Sequence, residues 1–143
     1  MIKILLIEDD VERIEQFQKW LPEDMQLVCA TSAGSALGIL QRDRGRVYSG
    51  ILLDHDLQEQ IRTDTDRYIS GTNVTKLIIT AVTRDVPILV HSVNITRGPW
   101  MAQALKDAGF RYVTRIPMNS LKKRDFIAWT EDVRDIWLDY QDE

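Results

Sequence analysis

Four apolar runs in this chain stop on side chains able to do chemistry. The first ends on Glu8, Asp9 and Asp10, the second on Asp54, His55 and Asp56, the third on His91, Ser92 and Asn94, and the fourth on Thr114 and Arg115. Carboxylates crowded at one edge repel each other unless a cation neutralises them, and oxygen ligands favour Mg2+ over zinc. Glu8, Asp9 and Asp54 are the candidate ligands on this ground, with water or phosphate oxygens completing the ion's shell. The chain has two histidines, His55 and His91, both at these boundaries, and imidazole exchanges protons near pH 7. Arg115 offers a permanent charge with a donor fork suited to a phosphoryl group, and Ser92 offers a hydroxyl. The plainer alternatives are helix caps for Asp10 and Ser92, solvated loop acids, and a salt-bridged Arg115.

Regular elements have to deliver these residues. "IKILLIE" (2–8), "QLVCAT" (26–31), "SGILLD" (49–54), "VPILVHS" (86–92) and "FRYVTR" (110–115) are short apolar runs that read as buried strands. Between them, Asp10 caps a helix in which Val11, Ile14, Phe17 and Leu21 recur at helical spacing, and Pro22 ends it. Ser32 caps a second helix to about Gln41. A polar loop from Leu57 to Ser70 precedes a helix over 71–84. "GPWMAQALKDAGF" has proline near its start and glycine near its end, as helices do. From Arg124 the spacing of Phe126, Trp129, Val133, Ile136, Trp137 and Tyr140 predicts a last amphipathic helix.

Five strand–helix pairs predict an α/β fold: a five-stranded parallel sheet, doubly wound by right-handed crossovers into a flavodoxin-like (βα)5 sandwich, in one domain over residues 1–143. Such sheets place their sites beyond the carboxyl ends of the strands, where the acids and histidines fall. Strand geometry adds a condition. Adjacent residues point to opposite faces, so His91 and Ser92 share a pocket only if the strand has ended before them.

Composition bounds the rest. With 44% hydrophobic and 28% charged residues in 143, the chain is of globular type. A net charge of −4 leaves no dominant basic field for a nucleic-acid backbone. The single cysteine, Cys29, excludes an internal disulfide and fits a buried core position in a reducing compartment. The four tryptophans read as core rather than as a stacking platform. No apolar run approaches the ~20 residues that span a bilayer, and no signal-peptide cleavage pattern follows "MIKILLIEDD". A cytoplasmic protein is the expectation.

The pattern resembles the receiver domain of bacterial response regulators across essentially the whole chain. "ILLIEDD" resembles the family's opening strand and acidic pair, carried onto Glu8 and Asp9. "ILLD" resembles the third strand ending on the phospho-accepting aspartate, carried onto Asp54. The backbone carbonyl of Asp56 falls where the family supplies a further metal ligand, and "PILVHS" carries the hydroxyl residue onto Ser92. "AGFRYVTRIP" departs: Arg115 stands where the family has lysine, and Ile116 intervenes before Pro117. The loop from Leu57 is also longer than usual and can bring in Arg62 or Arg67. A narrower resemblance uses these departures. "LDHDL", "SGTNV" and "HSVNITRGPWM" are similar to the receiver variant proposed to process cyclic phosphates.

Two activities follow as expectations. In one, Asp54 accepts a phosphoryl group from a histidine kinase or small phosphodonor, with Mg2+, Ser92 and Arg115 at the pocket. In the other, His55 and His91 act as acid and base on a cyclic phosphate, such as an RNA 2′,3′-cyclic end. A receiver-shaped interaction module without chemistry is the third reading. No DNA-binding domain is recognised in these residues, and a homodimer through the fourth or last helix is left open.

Overall fold

The computed structural model describes residues 1–57 and 71–142. The expected loop, with Arg62 and Arg67, lies outside the described residues from position 58 to 70. Among the described residues ten elements alternate: β1 (Ile2–Ile7), α1 (Val11–Trp20), β2 (Met25–Ala30), α2 (Ala33–Arg42), β3 (Gly50–Leu53), α3 (Gly71–Ala81), β4 (Ile88–Val90), α4 (Arg97–Asp107), β5 (Val113–Arg115) and α5 (Lys123–Gln141). The strands form one sheet in the order β2-β1-β3-β4-β5, and every pairing is parallel. This is the flavodoxin-like sandwich the sequence predicts. The strand order reverses between β1 and β3, where open α/β sheets place ligands.

Alternation along each strand builds two cores. Ile2, Ile4, Leu6, Leu52 and Leu89 face one side, packed with Phe17 of α1 and with Phe126, Trp129 and Val133 of α5. Leu5, Ile7, Ile51, Leu53, Ile88 and Val90 face the other, under Ala36 and Leu40 of α2, Val74 and Ile78 of α3, and Met101 and Leu105 of α4. Both faces are covered, which is why the strands read as continuous apolar runs. Trp20 and Trp137 pack against the α1/α5 core, whereas Trp100 is 37% exposed. Cys29 is half-buried on the edge strand β2 beside that same core.

The caps fall where expected. Asp10 accepts from the Arg13 amide at 3.1 Å, and Ser32 from the Ser35 amide at 3.1 Å. Helix α4 closes on Gly109 at φ 99°, with Phe110 N–H donating to the Leu105 carbonyl and Gly109 N–H to the Lys106 carbonyl. This is the Schellman arrangement, which needs a left-handed residue at that point. The strands are shorter than expected, because ladder pairing stops at Ile7, Leu53 and Val90. One more backbone bond runs past each end: Glu8 N–H to Ala30, Asp54 N–H to Ile7 and His91 N–H to Leu53, at 3.0–3.1 Å. The next residue of each strand therefore still follows the sheet.

Gly50 is required by packing. A Cβ there would lie 2.9 Å from Trp129 Cη2 and 3.1 Å from Val133 Cγ2. Gly50→Ala is expected to destabilise the fold by about 1–3 kcal/mol, the usual range for overpacking. Urea denaturation of the variant checks this, and an unchanged midpoint would refute it.

Candidate functional site

Register creates the site. Ile7, Leu53 and Val90 are successive partners across β1, β3 and β4. Glu8, Asp54 and His91 come next on each strand, so they stand side by side at roughly the 4.8 Å strand spacing. They share the α1/α5 side of the sheet with Leu6, Leu52 and Leu89, and all three are buried. One ligand atom from each lies within 4.8 Å of the other two. The Nε2 of His91 is 3.2 Å from Glu8 Oε1, and its ring meets Phe17 edge-on at 5.1 Å. Asp54 Oδ1 is buried with no hydrogen-bond partner. Arg13, in the first turn of α1, reaches in with Nη1 3.5 Å from Glu8 Oε1 and 3.9 Å from Asp54 Oδ2.

Burial governs the charges. It pushes Asp54 up to about 7, and the neighbouring Glu8 charge adds to the rise. Burial also raises Glu8, against the pull of its hydrogen bond with Asp54 and of the Arg13 charge. The His91 imidazole is held down to about 4 by burial, although the Asp54 charge favours its protonated form. Without a cation the two acids therefore resist ionising together. Two carboxylates and a partnerless buried oxygen fit a divalent cation, with Glu8 and Asp54 as the residues that would hold it.

The other expected site residues lie around this cluster. Asp9 is buried, and its amide donates to Glu8 Oε2 at 3.1 Å, but it does not belong to the three-residue cluster. The exposed Asp56 carboxylate turns to His55 Nδ1 at 3.0 Å and accepts from Asn94 Nδ2 at 3.4 Å. His55 points to α3, where its Nε2 is 3.1 Å from Thr72 Oγ1. Gly71 permits this approach: its amide donates to the His55 carbonyl, and a Cβ would lie 2.5 Å from His55 Cα. Ser92 is buried and accepts from the Asn94 amide through its hydroxyl. Arg115 donates to the Ser92 carbonyl at 3.2 Å and lies over Gly98 at the start of α4.

The edge is thus divided. Glu8, Asp54 and His91 gather on the α1/α5 side, and among the described residues Arg13 is the cation that reaches them. His55 turns to α3 and Arg115 to α4. Sequence reasoning missed Arg13 and gave Thr72 no role. The signal for Arg13 was its place three residues after the Asp10 cap, which sets it in the first turn beside the sheet edge. Thr72 lies in "SGTNV", whose glycine brings it against His55.

This topology, with an acidic pocket at the reversal of strand order, is that of a receiver domain. The family model for the cyclic-phosphate processing receiver domain matches residues 4–107, and the chain belongs to that family. Solved structures agree on the fold. The chain is similar to a response regulator receiver domain from Clostridium thermocellum at 16% identity, covering 96% of this chain and 98% of that one, with a TM-score of 0.65. It is similar to the receiver domain of a Francisella response regulator at 16% identity, covering 98% and 99%, with a TM-score of 0.60. It is also similar to the receiver domain of a Pseudomonas aeruginosa sensor histidine kinase with a magnesium ion in its active-site cleft, at 21% identity, covering 89% and 92%, with a TM-score of 0.60. A search of curated proteins finds no significant match. Among the described residues, no helix is long and apolar enough to cross a membrane.

Proposed function

We propose that this domain opens cyclic phosphodiesters, using His55 for proton transfer beside a divalent cation, Mg2+ in the simplest case, held by Glu8 and Asp54. The observation that carries this is the chain Asp56–His55–Thr72, joined at 3.0 and 3.1 Å, next to the buried acid cluster. Family membership agrees with it. Asp56 on Nδ1 favours the tautomer whose proton sits there, so that Nε2 presents its lone pair to the Thr72 hydroxyl. Water attacks phosphorus, its proton passes by way of the Thr72 hydroxyl to His55 Nε2, one ring P–O bond breaks, and the leaving alkoxide takes a proton from solvent, to which His55 returns its own. The product is a phosphomonoester with one freed hydroxyl. When bound, the cation would neutralise charge on the phosphoryl oxygens. Arg13, with a side chain 29% exposed, supplies a second positive charge at the same edge. The test is incubation with a 2′,3′-cyclic nucleotide, with and without Mg2+. Phosphomonoester formed by the purified protein and lost with a chelator supports the proposal; no product under either condition overturns it.

A second reading has its own observation. Asp54 Oδ1 is partnerless and stands where receivers accept a phosphoryl group from a histidine kinase or small phosphodonor. A Mg2+-dependent mass gain of one phosphoryl group from acetyl phosphate, absent in Asp54→Asn, would establish it. The same experiment without any mass gain removes it.

A further inference from the structure

We infer that His91 is a nitrogen ligand of the cation, and that it moves the site's preference from Mg2+ toward first-row transition ions such as Mn2+. The inference rests on the reading that Glu8 and Asp54 hold a cation. His91 occupies the sheet position that continues Leu89, facing Phe17 in the α1/α5 core. An apolar side chain there would bury no polar atom, whereas a buried imidazole is unfavourable unless its polar atoms are used. Here Nε2 is directed at the acids, 3.2 Å from Glu8 Oε1 and in a set of three residues whose ligand atoms all lie within 4.8 Å, while Nδ1 is buried without a hydrogen-bond partner, so the burial of this ring is offset on the Nε2 side alone. Asp54 contributes a buried oxygen without a partner at the same place. The Phe17 contact holds the ring before any ion arrives.

The chemistry of the donor set decides the ion. Mg2+ takes oxygen ligands and sheds water reluctantly, so a fixed imidazole gains it little. Transition ions accept imidazole readily, and two carboxylates with one imidazole form a mixed set that suits them. The Asp56 carboxylate is engaged by His55 and Asn94, so the contribution expected of that residue stays with its backbone carbonyl, outside this side-chain set.

Mn2+ is the probe, because its electron spin reports directly bound nitrogen. Pulsed electron paramagnetic resonance on the Mn2+-loaded wild type is expected to show coupling to a single directly bound nitrogen. His91→Leu and His91→Gln should lose that coupling. The ratio of Mn2+ to Mg2+ affinity, measured by calorimetry, should fall by about tenfold or more in both variants, given that even outer-shell changes cost 10–100-fold. Bound Mn2+ without nitrogen coupling, or an unchanged affinity ratio in a folded variant, overturns the inference and leaves the cation reading intact. Failure of the wild type to bind either ion overturns both. If neither variant folds, the wild-type spectrum alone decides.

Discussion

His55→Ala is expected to lower turnover of a 2′,3′-cyclic nucleotide by about 10²–10⁴-fold, the usual contribution of a positioned general acid or base. The loss should fall on kcat, because His55 lies outside the three-residue cluster proposed to hold the cation. Mn2+ affinity should accordingly stay at the wild-type value, which separates loss of proton transfer from collapse of the pocket. His55 is held at both nitrogens, by Asp56 at 3.0 Å and Thr72 at 3.1 Å, so its orientation depends on α3 starting where it does. Gly71→Ala tests that dependence. The new Cβ would lie 2.5 Å from His55 Cα and 2.8 Å from its carbonyl oxygen, so backbone must move apart. Turnover should fall in this variant too, although every side chain of the relay remains. If His55→Ala retains wild-type kcat, cyclic-phosphate chemistry does not run through this imidazole.

The fold was legible because its signals are local. Short isoleucine- and leucine-rich runs, the Asp10 and Ser32 caps, and Pro99 and Gly109 near the two ends of α4 each act within a few residues. The acids at the strand ends were legible for the same reason. Register was not, since it depends on how separate strands slide against each other. Alternation alone shows that His91 and Ser92 diverge, but not which of them meets the acids. Pairing of Ile7 with Leu53 and of Leu53 with Val90 settles this, and places His91 beside Asp54. Arg115 was read as a charge near the acids, yet a strand residue that shares the side of Val113 is turned toward α4. Among the described residues, the charge that reaches them comes from Arg13, one helical turn beyond the Asp10 cap. A glycine's role is equally non-local: Gly50 is explained by Trp129 and Gly71 by His55.

Asp54→Asn should change the pH dependence of stability in a direction that can be worked out from the two buried groups. The Asp54 carboxyl is raised from 3.8 to about 7. Its contribution to stability is therefore present below pH 3.8 and is lost as pH rises toward 7, because the fold must then bury a charge that the unfolded chain leaves in water. The His91 imidazole is lowered from 6.5 to about 4, so its contribution is present above pH 6.5 and is lost as pH falls toward 4. Between about pH 4 and 6.5 the two slopes oppose each other. Those two slopes offset one another, and Glu8, which burial also raises, adds a slope of the same sign as Asp54's, so metal-free wild type loses stability as pH rises through this window. Asparagine removes the Asp54 slope and leaves those of His91 and Glu8, with His91 held lower still once the Asp54 charge that favours its protonated form is gone. The variant should be more stable than wild type at pH 8, by on the order of 4 kcal/mol for a shift of this size, and the advantage should shrink as pH approaches 4. Urea denaturation in the presence of a chelator, at intervals from pH 4.5 to 8, measures both curves. Added Mg2+ should narrow the gap at pH 8, since a cation offsets the buried charge that only the wild type carries. Parallel curves for the two proteins would mean that Asp54 ionises as freely in the fold as in water, and that the acid cluster is not the charged, desolvated pocket its burial describes.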